Sequence, residues 1–407
     1  MKRTVLFTSG KYTSFVETEI DWLRNLHDDC ILVTTTSNQR AHAYTQTRIV
    51  DFEIPGYKLF VRSLPCLLEL LSIFILDLFS TSSSWTYMQR WRLNLSTLFR
   101  CSFIENDLFQ SGLLNRVDIY YTYYANEFAI VLALAKKRGH ILQFSTRAHG
   151  RDVIEDREPK TKKLPFQQFK YEFVECIYCI SRATATYIQN KYPHFSNKVK
   201  LSYLGTDDRS IGPLTAISEQ FVVVSVGRVR NVKRFYLIAE MLQFVELPVK
   251  WIHIGDMAEN DPTYSRFLDS VKKLEKKSNI HVDLKGFMDN KDLLDYYQSN
   301  FVDLIINTSE IEGLPVSIQE ASSFGIPCLA TDVGGTSDIV NENTGQLIPQ
   351  NFDIIEGANV LCDLLEKRSR DIEFRKGVRA FWLKNFQAKI NYPKFFRTLQ
   401  TQGTFEA

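Results

Sequence analysis

Residues 302–349, VDLIINTSEIEGLPVSIQEASSFGIPCLATDVGGTSDIVNENTGQLIP, constrain the fold of this chain more than any other stretch. The run Val302–Ile306 is apolar except for Asp303, and it is too short and too β-branched for a helix, so it predicts a buried strand. A polar loop, Asn307–Gly313, follows and carries Glu310 and Glu312. Pro315 then opens a helix that Gly325 closes, with proline first and glycine last. Ile326–Thr331 predicts a second strand, and the turn Asp332–Gly335 leads to a further helix start at Thr336-Ser337-Asp338. Strand, helix and strand in this order imply a parallel sheet, whose ligands bind beyond the carboxyl ends of the strands.

Two carboxylates mark that edge. Glu312 precedes the helix and Glu320 lies within it. The amides of Gly313, Leu314 and Val316 form a positive helix end of the kind that receives phosphate. A carboxylate beside it is better suited to hydroxyls than to anions, so the segment suits a ligand carrying both diols and phosphates. Acidic residues in the first turns of an ordinary helix would look the same by spacing alone.

The rest of the chain supplies two such sheets. At 407 residues, 44% apolar and 24% charged, it has the size and composition of two globular domains. A net charge of +2 gives no global field that would favour nucleic acid. In the first half, strands are expected at Thr4–Thr8, Cys30–Thr35, Asp118–Tyr123, Ile141–Thr146, Cys176–Ser181 and Val199–Leu204, with helices from about Ser14, over Glu127–Lys137 and over Arg182–Lys191. The polar stretch from Asp208 to Gln220, with its Gly-Pro pair, marks a boundary. Beyond it come strands at Phe221–Val226, Val249–Ile254 and Ile280–Lys285 and helices at Asp353–Glu366 and Ile372–Asn385. The seven cysteines are scattered, and only Cys176 and Cys179 lie close together, on opposite faces of one strand, which argues for buried reduced thiols rather than a zinc site. The start MKRTVLFTSG reads as a first strand because its apolar run is too short for a signal peptide.

Residues 64–79, LPCLLELLSIFILDLF, are the most apolar stretch, yet they fall short of a spanning helix and are interrupted by Glu69 and Asp77. Two readings stand: a core helix of the first domain, or a patch lying on a membrane surface. The following segment lends support to the second, since Trp85, Trp91, Arg90, Arg92 and Arg100 mix aromatic rings with positive charge.

The run from Glu312 through Glu320 into GIPCLATDVGGTSDIV and TGQLIP resembles the E-x7-E signature of family 4 retaining glycosyltransferases with the GT-B fold, and is most similar to members that build bacterial surface polysaccharides. Other segments extend the likeness over most of the chain. Gly227-Arg228, with Lys233 five residues on, resembles the family's GR-x4-K element, whose two cations bind the donor diphosphate. The arginines Arg230 and Arg234 fall outside that pattern. RAHGRD, residues 147–152, resembles the HG-x-D element, which makes His149 a cleft residue facing the donor sugar and phosphates and puts Asp152 on the acceptor side, although an acid there is also a common helix cap. The turn at Gly286-Phe287-Met288 is where the family holds the nucleobase. The loop after the first strand faces the cleft in the family and often carries paired glycines; this chain has only Gly10 there.

The resemblance implies two doubly wound Rossmann-like domains facing each other across a cleft: residues 1–207 on the acceptor side, 208–385 binding the nucleotide-sugar donor, and a helical segment 386–407 packing back on the first domain. It also implies a hexosyltransferase-type retaining enzyme of polysaccharide or lipopolysaccharide synthesis. This enzyme would move sugar from a nucleotide diphosphate to a hydroxyl of a glycan or lipid-linked acceptor. Donor binding then falls to Gly227, Arg228, Lys233, Phe287, Met288, Glu312, Gly313, Leu314, Pro315 and Glu320, and catalysis to His149, Glu312, Arg228 and Lys233. Glu312 holds the sugar and Glu320 the ribose. No metal, no cofactor and no nucleic-acid partner is expected, and the expected location is cytoplasmic, with peripheral contact on the inner face of the membrane. A sugar-nucleotide epimerase of the same fold and a non-catalytic nucleotide-sugar-binding scaffold are the alternatives.

Overall fold

The structure is a computed structural model that describes residues 3–8, 14–26, 30–34, 47–49, 64–79, 91–155, 164–257 and 261–402. Gly10, Trp85 and Arg90 lie outside the described residues. The chain divides into two units, Met1–Ser202 with Tyr392–Ala407, and Tyr203–Asn391.

The first unit is built on a seven-stranded parallel sheet: β1 (Thr4–Thr8), β2 (Cys30–Thr34), β3 (Thr47–Ile49), β4 (Ile119–Thr122), β5 (Phe144–Ala148), β6 (Cys176–Cys179) and β7 (Val199–Leu201), in the order β3-β2-β1-β4-β5-β6-β7. Helices α1 (Ser14–Leu26), α2 (Leu67–Phe79), α3 (Trp91–Gln110), α4 (Glu127–Lys137), α5 (Gln167–Phe173) and α6 (Arg182–Lys191) connect or cover its strands. Residues Phe128–Ala135 of α4 are all buried, as a helix that is apolar all round requires. Asn126 caps it by accepting from the Phe128 amide.

β5 corrects the sequence expectation. It starts three residues late, ends two residues late, and carries Arg147 inside the sheet rather than in the loop. The guanidinium is fully buried because Nε donates to the Tyr121 hydroxyl (2.8 Å), Nη1 to the Ser202 carbonyl (3.1 Å), and Nη2 to Glu19 (3.2 Å). The group also lies over the Phe395 ring at 4.1 Å. A charge so fully partnered can sit in a strand. β7 stops at Leu201, three residues earlier than expected.

The stretch 64–79 forms a short 3₁₀ turn and then α2, which divides between its two readings. Leu70, Ile73 and Asp77 are buried, while Leu68, Leu76 and Phe79 are exposed. The two interrupting acids are both engaged: Glu69 with Arg138 (2.9 Å), and Asp77 with the Phe166 amide (3.0 Å). No described helix is long and apolar enough to cross a membrane.

The second unit carries a six-stranded parallel sheet: β8 (Phe221–Val226), β9 (Val249–Ile254), β10 (Ile280–Gly286), β11 (Leu304–Asn307), β12 (Cys328–Thr331) and β13 (Gly345–Ile348), in the order β10-β9-β8-β11-β12-β13. Its helices are α7 (Tyr236–Leu242), α8 (Tyr264–Leu274), α9 (Asn290–Ser299), α10 (Val316–Ser323), α11 (Ile354–Lys367) and α12 (Ile372–Asn385). Thr336–Asp338, expected to start a further helix, makes a single 3₁₀ turn. Asp303, the acid in an otherwise apolar run, is buried and accepts from the Val222 amide and from Arg370 Nε, both at 2.7 Å. A last helix, α13 (Ala388–Gln402), starts in the second unit, and its residues from Tyr392 belong to the first.

The strand order reverses between β8 and β11. Such a switch point leaves a crevice beyond the carboxyl ends of two neighbouring strands, where open α/β sheets bind ligands.

Candidate donor site of the second unit

Both strands at the switch point end in the segments singled out from sequence. β8 leaves the sheet through Gly227, whose φ of +142° favours glycine. Here the backbone is zipped to the end of β9: the Gly227 amide donates to the Ile254 carbonyl and the Val229 amide to that of Asp256, both at 2.9 Å. The approach is so close that a Cβ on Gly255 would fall 1.9 Å from the Gly227 oxygen. Arg228 follows, half exposed, with Nε 3.2 Å from the Asp256 carboxylate.

A short turn, Asn231–Lys233, then carries the lysine across to the end of β11. Lys233 Nζ lies 2.6 Å from Glu312 Oε1. The same oxygen accepts from Ser309 Oγ (2.7 Å) and Asn307 Nδ2 (3.2 Å). The two loops are stitched further by Arg234, in the left-handed conformation, which donates Nε to the Thr308 carbonyl and Nη2 to those of Ser309 and Gln350. In return, Thr308 Oγ1 donates to the Lys233 and Arg234 carbonyls. Arg234, outside the motif by sequence, fixes the loop that holds Glu312.

α10 begins where expected, with Pro315 as its cap residue. Among the described residues, the amides of Gly313 and Leu314, in the loop just before the cap, donate to no protein acceptor. Glu320, one turn along α10, is 7% exposed, and its Oε1 accepts from Asn290 Nδ2 at 2.7 Å. Burial pushes this carboxyl up from 4.5 to about 7, opposed by the Asn290 hydrogen bond. Gly286 turns with a φ of +69°, and Phe287 beyond it is 73% exposed, an apolar ring presented to solvent at the end of β10.

The structure thus joins Lys233 to Glu312 directly, while Arg228 meets Asp256 and Glu320 meets Asn290. Asp256, Asn307, Ser309 and Asn290 were missed by sequence reasoning. Asp256 and Asn307 each stand at the carboxyl end of a strand, a signal that could have found them.

In the first unit, the His149 ring packs against Tyr123 and Tyr124, with centroids at 4.5 and 4.8 Å, and its Nε2 is enclosed without a hydrogen-bond partner. Loss of solvent, reinforced by the positive Arg147, lowers the imidazole to about 3, so it is neutral at physiological pH. Asp152 is buried and uses one oxygen for the His149 amide and the other for that of Ala125, both at 2.8 Å. Its geometry is that of a residue holding the His149 backbone in place. The Ala125 carbonyl in turn accepts from the buried Lys170 Nζ (2.6 Å).

Two parallel α/β units of this topology match the GT-B fold of solved structures, and residues 207–380, most of the second unit, match the family described as Glycosyl transferases group 1. Among solved structures, Anabaena Alr3699/HepE in complex with UDP and glucose superposes with a TM-score of 0.67 at 16% identity, covering 98% of this chain and 99% of the other. Among characterised sequences, the N-acetyl-alpha-D-glucosaminyl L-malate synthase of Bacillus anthracis is 25% identical over 248 residues, 57% of this chain and 61% of the relative. The O-antigen biosynthesis glycosyltransferase WbnH of Escherichia coli is 33% identical over 137 residues, 33% of this chain and 36% of the relative. The chain therefore matches about three-fifths of the length of the first relative and about a third of the second.

Proposed function

We propose that the protein is a retaining, hexosyltransferase-type glycosyltransferase of family 4, moving a sugar from a nucleotide diphosphate to a hydroxyl of a glycan or lipid-linked acceptor in surface-polysaccharide synthesis. The observation that carries this reading is the Lys233–Glu312 pair at the β8/β11 switch point. It sets an ammonium, which can hold a phosphate, against a carboxylate that can accept from sugar hydroxyls. Arg228 and the amides of Gly313 and Leu314 add phosphate donors. Charge builds on the leaving diphosphate as the glycosidic bond breaks, and these groups are fixed before that happens. For His149 the resemblance implies contact with the donor, and its neutral imidazole suits hydrogen bonding rather than ion pairing. Uridine diphosphate is the first nucleotide to test, because a structural neighbour was solved with it. The exposed apolar side of α2 and Trp91 supports peripheral contact with an anionic membrane from the cytoplasmic side.

Incubation with candidate sugar nucleotides tests the proposal. Acceptor-dependent release of nucleoside diphosphate is expected, whereas an isomerised donor would indicate an epimerase and binding without turnover a scaffold. Arg228→Ala and Lys233→Ala should each lower kcat/KM by the equivalent of about 1.5–3 kcal/mol, typical of charge-assisted bonds, with the fold intact. Near-normal turnover in the double variant would refute the assignment.

A further inference from the structure

Glu320 is buried within α10 with little access to water, and a carboxylate there needs a donor. That donor comes from a residue thirty positions earlier. Asn290 is the first residue of α9, directly after the Gly286–Met288 turn, and its side chain reaches Oε1 of Glu320 at 2.7 Å. Oε2 accepts no hydrogen bond among the described residues. Among the described residues no ion pair reaches Glu320, and the side chain that acts on its carboxylate is the Asn290 amide; the buried Tyr297 phenol, also from α9, feels the Glu320 charge in turn.

We infer that Asn290 is a positioning residue of the nucleotide site: its amide orients the Glu320 carboxylate and leaves the other acceptor positions to the vicinal diol of a nucleoside diphosphate. This rests on the reading of Glu320 as the ribose-holding residue. An ionised carboxylate offers about four acceptor positions, of which Asn290 takes one. A protonated one gives up acceptors and presents a hydroxyl of its own, so diol binding needs the anion. Burial works against the anion, and the Asn290 hydrogen bond is what opposes it. Asn290 therefore ties the grip on the ribose to pH, and the α9 start that follows the base-side turn to the diol-binding helix. Burial, reinforced by the Glu320 charge, pushes the Tyr297 phenol well above its usual range, so it stays neutral as Glu320 titrates.

The test is the affinity for UDP, ADP and GDP between pH 5.5 and 9, following whichever binds tightest, for the full chain and its Asn290→Ala, Asn290→Asp, Glu320→Gln and Glu320→Ala variants. Wild-type affinity should fall as pH drops through about 7. In Asn290→Ala the midpoint should move up by about one pH unit, the worth of one hydrogen bond to a charged group. That corresponds to affinity about fivefold weaker at pH 7 and within about twofold of wild type at pH 9. Asn290→Asp, which replaces the donor by a like charge, should move the midpoint further. Glu320→Gln should bind weakly with only the titration of the nucleotide's own phosphate remaining, and the 2′-deoxy nucleotide should flatten the wild-type profile in the same way. A loss in Asn290→Ala that is equal at every pH would mean a merely structural role and overturn the inference, as would an unmoved midpoint while Glu320→Gln still weakens binding. Glu320 variants with unaltered affinity would instead overturn the ribose reading itself, a result distinguishable from the other two.

Discussion

Glu320 carries a charge that the folded protein disfavours. Its carboxyl titrates at about 7 in place of 4.5, so the folded state binds its proton more tightly than the unfolded chain does. Stability contributed by this group is therefore greatest below about pH 4.5 and is lost progressively as pH rises through about 7. Glu320→Gln, which is neutral at every pH and can still accept from Asn290, should stabilise the second unit by up to about 3 kcal/mol at pH 8–9 and by almost nothing at pH 4.5. Thermal melts of the two proteins across that range check this, and an equal Tm at pH 8.5 would contradict it. The expected pairing of higher stability with weaker nucleotide binding is what a residue kept for function rather than for folding should show. Glu312 differs in kind, because Lys233, Ser309 and Asn307 all donate to one of its oxygens.

Two helices raise questions that no single residue answers. α2 satisfies its acids internally, through Arg138 and the Phe166 amide, yet leaves Leu68, Ile75, Leu76 and Phe79 in water. Trp91 at the start of α3 is also exposed, with the Arg92 guanidinium 5.3 Å from its ring centre. Apolar side chains beside a cation predict binding to anionic vesicles that weakens with salt. Sedimentation with phosphatidylserine-containing vesicles at low and high salt should show it, with Leu76→Ser and Phe79→Ser reducing the bound fraction. Absence of binding at low salt would remove the membrane role. α13 belongs to the first unit from Tyr392 onward, where Phe395 packs edge-on against Tyr121 and Tyr178 and carries the Arg147 guanidinium on its face. Phe395→Ala should cost about 3–5 kcal/mol, as for other buried phenylalanines, and more of it than usual through the uncovered arginine. A Tm within about 2 °C of wild type would show that the ring contributes little.

At the scale of the whole molecule, the groups offered to the proposed donor diphosphate are cations already paired with carboxylates, Arg228 with Asp256 and Lys233 with Glu312. Metal-dependent transferases hold a divalent ion with paired carboxylates beside the diphosphate. Here Arg228, Lys233 and the amides of Gly313 and Leu314 stand at the switch point, and the Asp207-Asp208 pair lies elsewhere, with Asp208 engaged by Arg379 at 2.6 Å. Activity should therefore persist in excess chelator, and the anomeric configuration of the donor should be kept in the product, read from the coupling constant of the anomeric proton where the sugar makes it diagnostic. Activity abolished by chelator and restored by magnesium or manganese, or an inverted product, would require a different mechanism.

Local chemistry alone determined much of this protein. Strands Thr4–Thr8, Phe221–Val226 and Val249–Ile254 and helices Glu127–Lys137, Arg182–Lys191 and Ile372–Asn385 coincide with their sequence expectations, because apolar runs and their punctuation are short-range signals. The order of elements around Glu312 and Glu320 was legible for the same reason. What only the tertiary structure decided is which polar groups answer one another. Arg147 looks like a loop residue until Glu19, Tyr121 and Phe395 surround it, and the strand therefore begins and ends later than its apolar run suggests. Arg234 looks incidental until it ties three carbonyls of two distant loops. The Asn290–Glu320 bond joins the start of one helix to the middle of another, which no periodicity relates. A buried charge or amide is tolerated only with partners, and those partners are brought together by the folded sheet, not by neighbours in the chain.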